Sequence, residues 1–243
     1  MRTFGLVGYP LTHSFSQKYF TEKFEYLGIA DAEYENFSIP QIEEMEEMMR
    51  HNPYLCGFNV TIPYKKKIIP YLHNLSDAVQ KMGACNCVQI KDGILTGFNT
   101  DVIGFKQSLK PYLKPHHNKA LILGTGGAAA AVEYVLNELN IAFHFVSRNA
   151  TNNVLGYNQL TKDIIEQHTL IINTSPVGQY PAITESPEIP YDFINSSHHL
   201  FDLIYNPAET AFLQKGKARG ASTQNGYEML VLQAEESWRI WNS

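Results

Sequence analysis

Residues 119–149, KALILGTGGAAAAVEYVLNELNIAFHFVSRN, decide how this chain is read. A short apolar run at 120–123 is broken by Gly124-Thr125-Gly126-Gly127; residues 128–139 are then helix-forming and 141–146 are apolar again. Strand, glycine turn, helix and strand within about 30 residues is the unit that holds a dinucleotide pyrophosphate. Gly124 permits the tight turn out of the strand. Gly126 and Gly127 let backbone N–H groups approach a phosphate at a helix N-terminus, where unpaired donors and the helix dipole favour an anion. Ala128 and the alanines after it stand in for a third glycine, small enough for close packing of helix on strand.

The second strand addresses the choice of cofactor. An Asp or Glu about 20 residues beyond the glycines bonds the ribose 2′-OH of NAD, whereas an Arg there accommodates a 2′-phosphate. Here the strand ends Val146-Ser147-Arg148-Asn149, with no acid at its tip. NADP is the expected cofactor.

A length of 243 residues predicts one large or two modest domains, and 44% hydrophobic with 18% charged residues suffices for a sizeable core. The net charge of −5 argues against nucleic acid as a partner, and the one basic run, Lys65-Lys66-Lys67, is too short to change that. No apolar run approaches about 18 residues, so no membrane span is expected. The N-terminus leads into a strand-like TFGLVG and not a signal peptide. Three cysteines, Cys56, Cys85 and Cys87, point to free thiols in a reducing compartment, hence a cytoplasmic protein. Cys85 and Cys87 share one face of an extended strand with no His or third Cys at ligand spacing, which favours packing over metal.

Elsewhere the patterning predicts strands at 3–8, 32–37 and 55–61, and a helix at 14–27 with Phe15, Tyr19, Phe20, Phe24 and Leu27 inward. Ser38 before Ile39-Pro40 predicts a helix cap with proline in the first turn and a helix through Arg50, its methionines packing the core. One or two helices are expected before Met82. Asp92-Gly93, between 84–91 and 94–99, predicts a hairpin. A helix at 101–109 leads into 110–118, where prolines and polar groups mark a linker. Strands are expected at 170–173, 200–204 and 221–223, and a closing helix at 225–241. His116-His117 and His198-His199 fall in predicted loops and read as solvated surface.

A nicotinamide enzyme also needs a surface that holds substrate against the cofactor, and an acid/base group. Three polar clusters fall just beyond predicted strands, where open α/β sheets place their ligand crevice. Ser14-Phe15-Ser16 combines hydroxyls with the free N–H groups of a helix start, which suits a carboxylate; alone, such serines are ordinary caps. Asn59 and Thr61 point to one face of their strand, and Lys65 follows the proline turn; alone, Lys65 is one of three solvated lysines. Asn86 lies on one hairpin strand and Asp101 after the other; alone, Asp101 caps a helix. Convergence on one crevice is what gives the clusters weight. In a Lys65–Asp101 pair the carboxylate orients the ammonium, which can donate a proton to a carbonyl.

Across nearly its whole length the chain resembles the shikimate dehydrogenases. Gly8-Tyr9-Pro10-Leu11-Thr12-His13-Ser14-Phe15-Ser16 is similar to the family's substrate-carboxylate segment, and Phe58-Asn59-Val60-Thr61-Ile62-Pro63-Tyr64-Lys65 to the one with the catalytic lysine. Gly83-Ala84-Cys85-Asn86 and Gly97-Phe98-Asn99-Thr100-Asp101 resemble the hairpin that supplies an asparagine and the catalytic aspartate. The glycine turn, Ser147-Arg148-Asn149, and Asn173-Thr174-Ser175-Pro176-Val177-Gly178 resemble its cofactor segments, the last near the nicotinamide. Asp202-Leu203-Ile204-Tyr205-Asn206-Pro207 and Gly226-Tyr227-Glu228-Met229-Leu230-Val231-Leu232-Gln233 complete the series.

The resemblance implies an α/β fold: an N-terminal α/β substrate-binding domain, 1–101, and a Rossmann-type NADP-binding domain, 102–224. A C-terminal helix at 225–243 packs back on the first domain. It implies Lys65 and Asp101 as catalytic pair, and substrate contacts from Ser14, Ser16, Asn59, Thr61, Asn86, Tyr205 and Gln233. Cofactor contacts would come from Gly124, Thr125, Gly126, Gly127, Ala128, Ser147, Arg148, Asn149, Thr174 and Gly226. The chain departs from the family pattern at Gln17 for a usual Pro, Cys87 for a common Thr, Ser147 for a usual Asn, and a short 149–169 connection. The implied activity is reversible, NADP-dependent reduction of 3-dehydroshikimate to shikimate, in the aromatic amino acid (chorismate) precursor pathway, by a monomer or homodimer. Three other readings are weighed. A quinate/shikimate dehydrogenase using NAD or NADP keeps the chemistry; Arg148 speaks against NAD, and nothing in the sequence excludes quinate. A folate-linked methylene dehydrogenase has no evident need for the Ser14/Ser16 cluster. A non-catalytic NADP-binding sensor would not need both Lys65 and Asp101.

Overall fold

The computed structural model describes residues 1–11 and 14–243, and contacts group the chain into two units, 1–100 with 234–243 and 101–233. In the first unit lie β1 (Arg2–Gly8), α1 (Phe15–Leu27), β2 (Ala32–Ser38), α2 (Met45–His51), β3 (Leu55–Val60), β4 (Asn74–Leu75), α3 (Asp77–Met82), β5 (Cys87–Lys91) and β6 (Ile94–Phe98). They form a mixed sheet ordered β2-β1-β3-β5-β6-β4. β1 pairs in parallel with both neighbours and is buried along almost its whole length, as expected for a strand covered on both faces. The β5–β6 hairpin turns on Asp92 (φ 52°) and Gly93 (φ 77°), the two left-handed residues its turn type requires.

Two apolar layers sandwich this sheet. Phe37, Met45, Phe58, Tyr64 and Val88 belong to one; Phe4, Phe20, Phe24, Tyr34 and Trp241 belong to the other. Trp241 comes from α8 (Tyr227–Trp241), whose last residues return to the first unit as expected. Its ring stacks on Phe4 with centroids 5.0 Å apart, and its Nε1–H donates to the Val88 carbonyl at 3.0 Å. The indole lies so close to β3 that a Cβ on Gly57 would stand 2.3 Å from its Cδ1.

The second unit continues through α4 (Thr100–Leu109), β7 (Lys119–Leu123), α5 (Gly127–Glu138), β8 (Ala142–Ser147), β9 (Val154–Gly156), α6 (Lys162–Gln167), β10 (Leu170–Asn173), β11 (His199–Asp202), α7 (Ala211–Ala218) and β12 (Ser222–Gln224). Its sheet runs β12-β11-β10-β7-β8-β9 with every pair parallel. The strand order reverses between β7 and β10, the switch point at which such sheets bind ligands. β7 and β10 are buried apart from Lys119. Among the described residues no helix is long and apolar enough to cross a membrane.

Three expectations change. Ser38 does not cap a helix: it ends β2 opposite Gly8, and the Ile39 carbonyl accepts from the Tyr64 hydroxyl at 2.6 Å. The chain therefore stays extended past Pro40, and a 3-10 turn, Ile42–Glu44, precedes α2. Before Met82 the short β4, too brief to show any periodicity, pairs with β6. His117, His198 and His199 are buried, not solvated. Each ring finds partners inside: His117 Nδ1 accepts from Lys114 N at 3.1 Å, and its Nε2 meets the Ser197 carbonyl at 3.2 Å. His198 Nε2 meets the Ile165 carbonyl, and His199 bonds the Ser222 hydroxyl and stacks on Tyr112.

Burial, with the charge of His117 adding, pushes the His199 imidazole down to about 4. The unfolded chain takes up this proton near pH 6.5 and the folded chain only near 4. The resulting stability is fully present above about pH 6.5 and is lost as pH falls through that window. Replacing His199 with Gln should make the unfolding free energy fall less between about pH 7.5 and about pH 5 than in wild type. The difference should be on the order of 2 kcal/mol. Equal losses in urea titrations of the two proteins would assign the pH dependence elsewhere.

Candidate active site

Hydrogen bonds in the first unit join four of its polar segments. Ser14 caps α1, its Oγ accepting from Gln17 N at 3.1 Å. Thr12 and His13, part of the segment singled out in the sequence, lie outside the described residues. Ser16 bonds the Tyr34 hydroxyl, and burial holds that phenol well above its ordinary range, so it remains a donor. Tyr34 donates to Asn59 Oδ1 at 2.9 Å. Asn59 Nδ2 donates to the Asn86 carbonyl at 3.2 Å and to Ser237 Oγ at 2.9 Å. Both N–H groups of Asn59 are thus engaged inside the protein, and the residue is 5% exposed.

The Lys65 segment is anchored at three points. Tyr64 N donates to the Thr61 carbonyl at 2.8 Å, the Tyr64 ring is buried, and the Lys65 carbonyl accepts from Cys85 N at 2.7 Å. Thr61 and Lys65 themselves are half-buried. Next to Cys85, Asn86 Oδ1 accepts from Thr100 N at 2.7 Å and from Thr100 Oγ1 at 3.3 Å. A side-chain carbonyl thereby holds the start of α4, where Asp101 occupies the first turn. The Lys65 backbone, Asn59, Asn86 and the residue before Asp101 are brought into one bonded frame.

In the second unit Gly124 has φ 112°, a conformation that favours glycine. A Cβ there would stand 2.9 Å from Thr174 Oγ1, which itself donates to the Leu123 carbonyl at 2.9 Å. The ends of β7 and β10 are sealed together at the switch point. Thr125, Gly126 and Gly127 are exposed and Ala128 is half-buried. A Cβ on Gly126 or Gly127 would meet nothing within 4 Å, and α5 starts from Gly126 with no side-chain cap. An open cradle at an uncapped helix start fits a dinucleotide pyrophosphate. At the tip of β8, Ser147 Oγ accepts from Asn149 N at 3.4 Å, leaving Arg148 exposed between them.

Tyr205 lies just past β11 and is 40% exposed. Gly226 N donates to the Ile204 carbonyl at 3.0 Å, tying the start of α8 to that turn. Gln233, on α8, is buried and donates from Nε2 to the Leu230 carbonyl at 3.0 Å. Beneath them sits a carboxylate to which the sequence reading gave no role. Asp202 accepts from Asn173 Nδ2 (3.0 Å), Ile204 N (3.1 Å) and Thr210 Oγ1 (2.6 Å). Burial nonetheless raises its carboxyl to about 6. It fastens the turns after β10 and β11 to each other. An acid at the end of the apolar run HLFD was the available signal. Tyr34 and Ser237 were also passed over, although Ser237 stands four residues after Gln233, on one face of a helix. Among the described residues no cluster of His, Cys, Asp and Glu could hold a metal.

The chain as a whole has relatives among known proteins. A family model, the shikimate dehydrogenase substrate binding domain, matches residues 6–88. The shikimate dehydrogenase (NADP(+)) of Ignicoccus hospitalis is 37% identical over 98% of this chain and 92% of its own length. Among solved structures, shikimate dehydrogenase 1 from Peptoclostridium difficile is 36% identical with a TM-score of 0.84, covering 100% of this chain and 92% of that one. The Thermus thermophilus shikimate 5-dehydrogenase in complex with NADP(H) and shikimate is 29% identical with a TM-score of 0.86, covering 99% and 93%. With identity above a third sustained end to end and the fold shared, this chain belongs to the shikimate dehydrogenase family of NADP-dependent oxidoreductases.

Proposed function

We propose that this protein catalyses the reversible, NADP-dependent reduction of 3-dehydroshikimate to shikimate, with Lys65 as proton donor and Asp101 as its orienting partner. The observation that carries the reading is the frame around Asn86. Its side-chain carbonyl holds Thr100, one residue before Asp101, while the preceding residue, Cys85, holds the Lys65 carbonyl. The Lys65 backbone and the residue before Asp101 are thus tied to two adjacent residues, which supports an acid/base pair.

The substrate is an anionic polyol, and a site built to bond each hydroxyl rejects analogues that lack one. Ser14 and Ser16, at the start of α1, take the carboxylate, helped by the partial positive charge of a helix N-terminus. Thr61, Asn86, Tyr205 and Gln233 take ring hydroxyls, while Asn59, its N–H groups already used, shapes the wall that Asn86 presents. NADP(H), when bound, supplies or accepts the hydride at the ring carbon. Gly124 to Ala128 hold the pyrophosphate, Arg148 with Ser147 and Asn149 the 2′-phosphate, and Thr174 and Gly226 the nicotinamide side. In reduction, Lys65 gives its proton to the ketone oxygen as charge develops there; in oxidation it takes the hydroxyl proton. Asp101 keeps the Lys65 nitrogen aimed at that oxygen in both directions, as ammonium in reduction and as amine in oxidation. The protein works in the cytoplasm, as a monomer or homodimer and without nucleic acid.

Reduced-nicotinamide absorbance, with shikimate and quinate each paired with NADP and NAD, tests the reading directly. Turnover is expected with shikimate and NADP; comparable turnover of quinate with NAD would replace the assignment, and none in any pairing would remove it. Lys65→Ala should lower kcat by on the order of 10²–10⁴ with little change in substrate Kd. A kcat near wild type would discharge Lys65 from proton transfer. Arg148→Ala should raise the KM for NADP on the order of tenfold or more while leaving the KM for NAD nearly unchanged. A parallel rise in both would place the 2′-phosphate elsewhere.

A further inference from the structure

The hydrogen bonds behind Asn59 and Asn86 form one connected set. Asn86 Oδ1 is a pure acceptor, so the Thr100 hydroxyl donates to it. Thr100 Oγ1 also lies 3.3 Å from Ser237 Oγ, a contact in which either hydroxyl can donate. On its other side Ser237 Oγ accepts from Asn59 Nδ2 at 2.9 Å. Asn59 in turn accepts from Tyr34 at 2.9 Å. One contiguous chain of hydrogen bonds joins Tyr34, Asn59, Ser237, Thr100 and Asn86, with Ser237 at its centre. It is fully buried, 0% exposed, with the Cys87 thiol beside it. No water can take its place there without displacing packed atoms.

We propose that Ser237 is a positioning residue for the reaction: from the C-terminal helix it sets Asn59 and the start of α4, and through them Asn86 and Asp101. The inference rests on the functional reading above. It follows from the geometry because two segments distant in sequence, β3 and the start of α4, share no other hydroxyl that bonds both among the contacts described. Removing that hydroxyl takes away the partner of one buried Asn59 N–H and a neighbour of Thr100 Oγ1, so that Asn59 can re-aim.

Two variants and a coupling measurement test it. Ser237→Ala removes the hydroxyl; Ser237→Cys fills its volume with a weak donor and acceptor, and so keeps the core packed. Both should lower kcat/KM for shikimate about tenfold while the KM for NADP stays within about twofold of wild type. Recovery of full activity in the cysteine variant would mean that packing and not the hydroxyl matters, and unchanged kinetics in both would equally overturn the proposal. A cycle of Ser237→Ala with Thr100→Val, read by urea unfolding, needs no turnover. Non-additive losses are expected; additive ones would show that the two hydroxyls do not act together. Should the wild-type protein fail to turn over shikimate, the functional reading falls, and the cycle still decides whether Ser237 holds Thr100.

Discussion

The first unit depends on how Trp241 is seated. An indole brings a large apolar face and one N–H that needs a partner when buried. Here the N–H reaches the Val88 carbonyl on β5, and the ring fills the space left by Gly57 and stacks on Phe4. One side chain thus joins the second apolar layer of the sheet to its hydrogen-bonded backbone. Because Ser237 lies one helical turn earlier on α8, seating the indole also brings that hydroxyl to Asn59 and Thr100. The packing term and the polar network are consequences of the same docking.

Much of this was legible in the sequence where local chemistry dominates. Gly124 to Gly127 between two apolar runs can hardly be anything but a strand–turn–helix, and Asp92-Gly93 announces its own hairpin. The helix start placed at Ser38 failed because Pro40 in a first turn is a local signal, while the bond from Tyr64 to Ile39 comes from residues far along the chain; the helix itself runs through Arg50 as expected. The buried histidines failed for the same reason: burial of a polar ring depends on carbonyls and hydroxyls supplied by other segments. At the site, the residue types were readable one by one, since serines at a helix start and a lysine past a proline have recognisable uses. What could not be read was who holds whom. Tyr34 and Ser237 look like filler on a strand and a helix until the fold shows that each completes another residue's bonding.

The two units treat buried polarity in contrasting ways. In the first, neutral amides and hydroxyls are joined by hydrogen bonds from Tyr34 to Asn86, and such networks rigidify when every member is satisfied. In the second, a single carboxylate, Asp202, gathers three donors and still keeps its proton more readily than an exposed acid. The first arrangement fixes the aim of side chains; the second fixes two backbone turns. Both lie behind the surfaces assigned to ligands, so the groups that meet solvent are held by groups that do not.

The discontinuity of the first unit has a meaning in time as well as in space. Residues 234–243 belong with 1–100, yet they are synthesised only after all of 101–233. As the chain leaves the ribosome, Phe4, Phe20 and Phe24 have no indole to cover them, and the chain of hydrogen bonds through Asn59 lacks its middle member. The segment 101–233, continuous in sequence, has no such wait. Completion of this frame is therefore among the last events of the protein's making, and a chain cut short before Ser237 would carry the glycine turn but not the ordered frame.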